Sequence, residues 1–214
     1  MDAALLDLYD TAVRSHWGRL SEGIAEGIGI TTAQLFQGYE RTRSARAVGT
    51  FGSREGDMRA VIEASGAEAT PELLERLLAL EEDFAGWGVE LWEDTVPVVS
   101  ELRRRGVRTA LVSNCSHATR PIVDRLGLGD VFDEVLLSFE VRAHKPDPEI
   151  YLEGLRRLGG IAPERAVFVD DQATYCDGAA AVGLDPYLIV RNDDIPARFD
   201  GHRVIRDLRA LLVL

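Results

Sequence analysis

Asp7, in the stretch LLDLYDTAV, is a carboxylate standing just after a short apolar run, where it can attack an electrophilic centre such as phosphorus. Further polar groups follow apolar runs in the same way. Ser113 and Asn114 close RTALVSN, Lys145 lies in HKPDP beyond EVLLSF, and Asp170 with Asp171 closes AVFVDD. Each alone is ordinary turn chemistry. As a set they can do one job: Asp7 attacks, Ser113 and Lys145 hold phosphoryl oxygens, and Asp170 binds a cation that cancels the repulsion between nucleophile and anion. Lys145 stands out for a second reason. Of 24 basic residues, 23 are arginine and Lys145 is the single lysine. An ammonium is a compact point charge and a guanidinium a planar fork, so the exception points to a site with room for the ammonium only.

The elements that must position these groups alternate. TVPVVSELRRRG carries Val98, Val99 and Leu102 at helical spacing and stops at Gly106, and RTALVSN follows as a buried strand. A helix ending in DRLG, a strand EVLLSF, and a helix opening at Asp147 and Pro148 come next. AVFVD is then a strand, DGAAAVGL a short helix, PYLIV the final clear strand, and DLRALLVL a helix. Strands alternating with helices predict an α/β fold, a Rossmann-like parallel sheet with helices on both faces, which binds ligands beyond the carboxyl ends of its strands.

AALLDLY also reads as a buried strand, yet about 75 residues without strand character separate it from the next one. Thr31 or Thr32 can cap a helix through AQLFQGYERTRSAR, and Thr70 with Pro71 opens the Leu-rich ELLERLLALEEDFAGW. An α-helical domain at residues 15–90 is therefore predicted to interrupt a core made of residues 1–14 and 91–214.

The formal charge of −12 and 46% hydrophobic content predict a globular protein that neither nucleic acid nor an anionic membrane attracts. No apolar run approaches a membrane span, and the early Asp2 does not fit a signal peptide. Two cysteines, Cys115 and Cys176, fit a reducing compartment, so the expected location is the cytoplasm.

At these residues the sequence resembles the haloacid dehalogenase superfamily. Its first motif, D-x-D-x-T, is similar to DLYDT except at Tyr9; the Ser of LVSN, the Lys of HKPDPEIY and the acids of FVDD followed by GA resemble the other three, in order. The resemblance implies that the helical domain is a cap. It further implies a Mg²⁺-dependent phosphatase acting on a small anionic metabolite, with Asp7 as nucleophile. Asp7, Asp170 and the Tyr9 carbonyl would then be metal ligands, Asp171 would orient them, and Thr11, Ser113 and Lys145 would hold phosphate, with Asn114 alongside.

Tyr9 keeps two alternatives open. It replaces the acid that in family phosphatases protonates the leaving group and activates water, and 2-haloacid dehalogenases of the superfamily carry a tyrosine there. Those enzymes need no metal, whereas Asp170 and Asp171 beside Asp7 would blunt a metal-free nucleophile by like-charge repulsion. A fold that binds a phosphorylated ligand with little turnover is the other alternative, and Asp10 is a candidate to replace the missing acid.

Within the helical domain the charge reverses. Between Glu26 and Glu55 the only acid is Glu40, against Arg41, Arg43, Arg46 and Arg54, and Arg41, Arg43 and Arg46 are the predicted substrate-binding residues, as forks suited to an anion. GTFGSREG reads as an inter-helix loop. Cys115 is expected to be a small buried residue, His16, His117 and His144 to lie at the surface or behind the site, and Trp17, Trp87 and Trp92 to pack between the two domains.

Overall fold

The computed structural model describes residues 1–191, 198–199 and 201–213. β1 (Ala3–Leu6) is buried at all four positions. The chain then turns tightly, with the Leu8 carbonyl accepting from the N–H groups of both Ala12 and Val13 at 2.9 Å. Asp10 takes the left-handed conformation in this turn (φ 56°), which aspartate tolerates better than most residues. The predicted strand through Tyr9 therefore ends at Leu6, because these hydrogen bonds replace a sheet partner. β2 (Val13–Ser15) and β3 (Val89–Leu91) form an antiparallel ribbon that carries the chain away and back. Neither three-residue strand is predicted by the sequence.

Between them lie α1 (Trp17–Ile28), α2 (Thr32–Ala47), α3 (Arg54–Ala64) and α4 (Pro71–Trp87), a four-helix lobe. Their starts follow local rules. Thr31 and Gln34 close a capping box on α2, the Ser53 hydroxyl accepts from Gly56 N–H at α3, and Thr70 accepts from Leu73 N–H ahead of Pro71 at α4. The GTFGSREG loop joins α2 to α3, and Gly49 touches the opposite side of the cleft so closely that a Cβ there would lie 2.6 Å from the Phe139 carbonyl.

The rest of the chain alternates: α5 (Thr95–Arg104), β4 (Arg108–Ser113), α6 (Thr119–Arg125), α7 (Leu128–Val131), β5 (Glu134–Leu137), α8 (Ser138–Val141), α9 (Pro148–Arg157), β6 (Ala166–Asp170), α10 (Ala173–Ala181), β7 (Asp185–Ile189), β8 (Arg198–Phe199) and β9 (His202–Ile205). Among the described residues one sheet runs β5-β4-β1-β6-β7-β9-β8, parallel throughout except that β8 pairs antiparallel with β9. Alternate residues serve opposite faces. Leu6, Leu111 and Val169 join the larger core, which continues into the lobe through Leu20 and Ile24, while Leu5, Val112 and Phe168 join the core beneath α9 and α10. Both faces are thus covered, as expected of a Rossmann-like α/β sheet.

Three further expectations need correction. EVLLSF leaves the sheet at Leu137, because the Ser138 hydroxyl turns back to the Cys115 backbone, donating to its carbonyl at 3.1 Å and accepting from its N–H at 2.9 Å. PYLIV is not the last strand, since β9 follows it. DLRALLVL winds as a 3₁₀ helix over Leu208–Val213 rather than as an α-helix. No described helix is long and apolar enough to cross a membrane.

Candidate active site

Register brings the first two carboxylates together. Leu6 pairs with Val169, so Asp7, just past the end of β1, comes beside Asp170, the last residue of β6, and Asp7 N–H donates to the Val169 carbonyl at 2.9 Å. Lys145 reaches between them from the loop before α9. Its Nζ lies 2.5 Å from Asp7 Oδ1 and 2.7 Å from Asp170 Oδ2, with the lysine 1% exposed. The Tyr175 ring lies 5.0 Å from the ammonium and adds cation–π contact.

The lysine is held at its backbone. Asn114 donates from Nδ2 to the Lys145 carbonyl and accepts from its N–H through Oδ1, both at 2.7 Å. On the far side α10 approaches so closely that a Cβ on Gly178 would lie 2.7 Å from the Pro146 carbonyl, so only glycine lets this helix meet the Lys145–Pro146 segment. Asp170 is fixed in turn, its Oδ1 accepting the Gln172 N–H at 2.8 Å.

Asp7, Asp170 and Asp171 each offer a carboxylate oxygen within 4.8 Å of the others. Burial pushes Asp7 up to about 7; Lys145 pulls it down and Asp170 pushes it up. Asp171 is pushed up to about 8, by burial first and then by repulsion from Asp7 and Asp170. Burial alone would lower the pKa of Lys145, but the two carboxylates outweigh it and hold the ammonium above the usual lysine range. One fixed positive charge therefore faces three carboxyl groups.

Around this cluster opens a cavity of about 630 Å³ between the sheet and the lobe. Asp7, Tyr9, Asp10, Asn114, Lys145 and Asp171 line its floor. The Tyr9 hydroxyl lies 3.0 Å from Thr119 Oγ1, and burial holds the phenol above its usual range, so it stays neutral. Thr11 and Ser113 are fully buried and do not line the cavity, and neither hydroxyl has a hydrogen-bond partner among the described residues. The Thr11 carbonyl is braced by Arg191, whose Nη2 donates at 2.5 Å and which also binds Asp94. The thiol of Cys115, pushed up to about 12 by burial, remains protonated.

The arginine cluster divides. Arg43 and Arg46 line the cavity, but Arg41 does not: α2 turns it toward α3, where its Nη1 donates to the Ala64 carbonyl at 2.8 Å. Arg41 is therefore corrected from substrate-binding residue to helix tie. Trp17 also lines the cavity, edge-on to Tyr39 at 5.0 Å. Sequence reasoning misses Thr119, Tyr175 and Gly178. Tyr175 carries a faint signal, following Asp170 within the first turn of α10, whereas Thr119 is 110 residues from Tyr9 and carries none.

With this geometry in place, comparison with known proteins is decisive about the family. A model described as haloacid dehalogenase-like hydrolase matches residues 1–183. The chain belongs to that family. It is 33% identical over 122 residues to Phosphatase MT3486 of Mycobacterium tuberculosis, covering 56% of this chain and 54% of the relative. It is 32% identical over 108 residues to glyceraldehyde 3-phosphate phosphatase of Methanopyrus kandleri, covering 50% and 46%. These matches span about half the length of each curated relative. Among solved structures, the HAD phosphatase from Thermococcus onnurineus superposes with a TM-score of 0.65 at 26% identity, over 99% of this chain and 96% of that one. The L-2-haloacid dehalogenase from Xanthobacter autotrophicus gives 0.69 at 16% identity, over 99% and 96%, a likeness of fold.

Proposed function

We propose that this protein is a cation-dependent phosphatase of small phosphorylated metabolites, working through an aspartyl-phosphate on Asp7, with the four-helix lobe at residues 15–90 as a cap over a core of residues 1–14 and 91–214. The observation that carries the reading is the excess of carboxylate over ammonium at Asp7, Asp170, Asp171 and Lys145.

The donor set suits a hard divalent ion: all the groups are oxygens, they converge within 4.8 Å, and their mutual repulsion is the kind a cation removes. Asp7, Asp170, Asp171 and the Tyr9 carbonyl would hold Mg²⁺, which when bound supplies the positive charge that lets an anionic nucleophile meet an anionic phosphoryl group.

The chain's own groups do the rest. An Asp7 oxygen forms the bond to phosphorus while the bond from phosphorus to the leaving oxygen breaks, and that oxygen takes up a proton from solvent water. Water then attacks the phosphorus, the Asp7–phosphorus link breaks, and phosphate leaves with the Asp7 carboxylate restored. Lys145 aims Asp7 and offsets charge on the phosphoryl oxygens, and the buried hydroxyls of Thr11 and Ser113 are donors for the same oxygens.

Tyr9 favours a second reading, a metal-free 2-haloacid dehalogenase using the same Asp7. The curated phosphatases among the relatives and the acidic pair Asp170 and Asp171 support the first. A panel of phosphorylated metabolites assayed with Mg²⁺ and with chelator, beside halide release from 2-haloacids, separates them. Phosphate release that needs Mg²⁺ is expected, and Asp7-dependent halide release in chelator would overturn the proposal.

A further inference from the structure

The side of α2 facing the cavity brings Phe36, Tyr39, Arg43 and Arg46 to one wall. Arg43 is already paired with Glu40, and both are more than half exposed. Arg46 differs. Its Nε donates to Thr42 Oγ1 at 3.0 Å, its Nη2 donates to the Tyr39 carbonyl at 3.1 Å, and its guanidinium lies 4.7 Å over the Tyr39 ring. These partners are all neutral, and no carboxylate oxygen of a described residue lies within 4.0 Å of it. The two buried acids whose charge reaches it turn to other groups: Asp57 Oδ2 lies 2.8 Å from His117 Nδ1, and Glu81 Oε2 faces Arg54 Nε at 3.8 Å without a hydrogen bond.

A guanidinium fixed by neutral groups in a partly desolvated wall keeps its charge and loses little freedom when an anion arrives. Burial lowers its pKa, and Tyr39, Asp57 and Glu81 act against that from beyond ion-pair distance. Phe36 beside it is 45% exposed, an apolar surface within the same cavity. Glu40 on this wall and Glu81 on α4, which also lines the cavity, oppose a dianion more strongly than a monoanion.

We infer that Arg46 determines specificity by receiving a carboxylate on the leaving group of a phosphomonoester, whose middle portion lies against Phe36 and Tyr39. The inference rests on the phosphatase reading. Its substrate class is a phosphomonoester that carries a carboxylate at the end remote from phosphorus.

The test compares 4-carboxyphenyl phosphate with phenyl phosphate in the wild type, Arg46→Met and Arg46→Lys. The wild type is expected to favour the carboxylated ester ~10- to 100-fold, expressed in KM, as a charge-assisted contact provides. In Arg46→Met the ratio of the two KM values should collapse to about one, and Arg46→Lys should retain part of it. A ratio near one in the wild type, or one unchanged in Arg46→Met, overturns the inference. Calorimetry with 4-carboxybenzylphosphonate and benzylphosphonate in Mg²⁺ provides a reading free of turnover. If neither ester is hydrolysed the phosphatase reading fails by itself. A carboxylate preference in binding that is lost in Arg46→Met still sustains the role of Arg46, and equal or undetectable binding of the two phosphonates overturns it.

Discussion

The side-chain amide of Asn114 grips the backbone of Lys145 from both directions, donating to its carbonyl and accepting from its N–H, each at 2.7 Å. Position, not charge alone, is therefore what the strand end of β4 contributes to the cluster. Lys145 is buried with its Nζ 2.5 Å from Asp7 and 2.7 Å from Asp170, which leaves no space for a guanidinium. Lys145→Arg should lower kcat/KM by ~10²-fold or more despite keeping the charge, since misplacing a catalytic group by an ångström has that scale of effect. Asn114→Ala should give a smaller loss with the lysine still present. Wild-type turnover in both variants would remove Lys145 from the mechanism.

Three carboxyl groups against one ammonium should make the folded protein a receptor for a divalent cation. Mg²⁺ at ~100 times its dissociation constant should raise stability by about 2.7 kcal/mol, measured as a shift in thermal unfolding. Asp170→Asn should lose most of that shift, and Asp7→Asn should lose phosphate release entirely. An identical Mg²⁺ shift in Asp170→Asn would place the ion elsewhere.

Why the sequence reveals some of this and not the rest is a matter of burial and of distance along the chain. β1, β4 and β6 are covered on both faces, so they read as unbroken apolar runs whose ends mark where Asp7, Ser113 and Asp170 stand. β9 lies toward the sheet's edge and is only partly buried, so HRVI carries no such run. The face that α2 presents depends on how it packs against α3, which is why Arg41 and Arg46 look equivalent in sequence and sit on different sides. Contacts such as Tyr9 with Thr119 and Asn114 with Lys145 join residues 110 and 31 positions apart, and no local pattern records them.

Lobe and sheet are latched by His117 and Asp57. Asp57 Oδ2, on α3, accepts from the His117 backbone N–H at 3.1 Å and lies 2.8 Å from its Nδ1. The carboxylate is 5% exposed, so losing the imidazole leaves it poorly satisfied. His117→Ala should lower stability by about 1–3 kcal/mol. It should also speed amide hydrogen exchange in α3 more than in β1. Uniform exchange across both elements would show global destabilisation in place of a loosened lobe.

Glu81 gives the lobe a pH dependence. Burial first, moderated by Arg54, pushes its carboxyl up from 4.5 to about 7. Between those values the folded chain binds more protons than the unfolded chain, so stability falls as pH rises from about 4.5 through about 7 and is level above. The difference amounts to about 3 kcal/mol at most. Glu81→Gln should therefore be more stable than the wild type at pH 8 and nearly equal to it at pH 4. Denaturant unfolding at both values checks this, and an equal offset at the two would remove the titration as its cause.

The neutral phenol of Tyr9 sets the expected kinetics. Its hydroxyl is engaged with Thr119 Oγ1 at 3.0 Å and is held above its usual pKa by burial, so it cannot take a proton from water at neutral pH. In the proposed phosphatase reaction, attack by Asp7 on an ester with a good leaving group needs little proton donation and should be fast. Hydrolysis of the aspartyl-phosphate needs an activated water and should be slow, so product should appear in a burst equal to the enzyme concentration. Tyr9→Asp places a carboxylate where that water can be activated, and steady-state turnover should rise toward the ~10²- to 10⁴-fold that a positioned acid-base group contributes. Asp10 is the competing base, held at φ 56° on the same turn and lining the same cavity. Rapid-quench kinetics decide between them: absence of a burst in the wild type, with Asp10→Asn creating one, would transfer the role to Asp10.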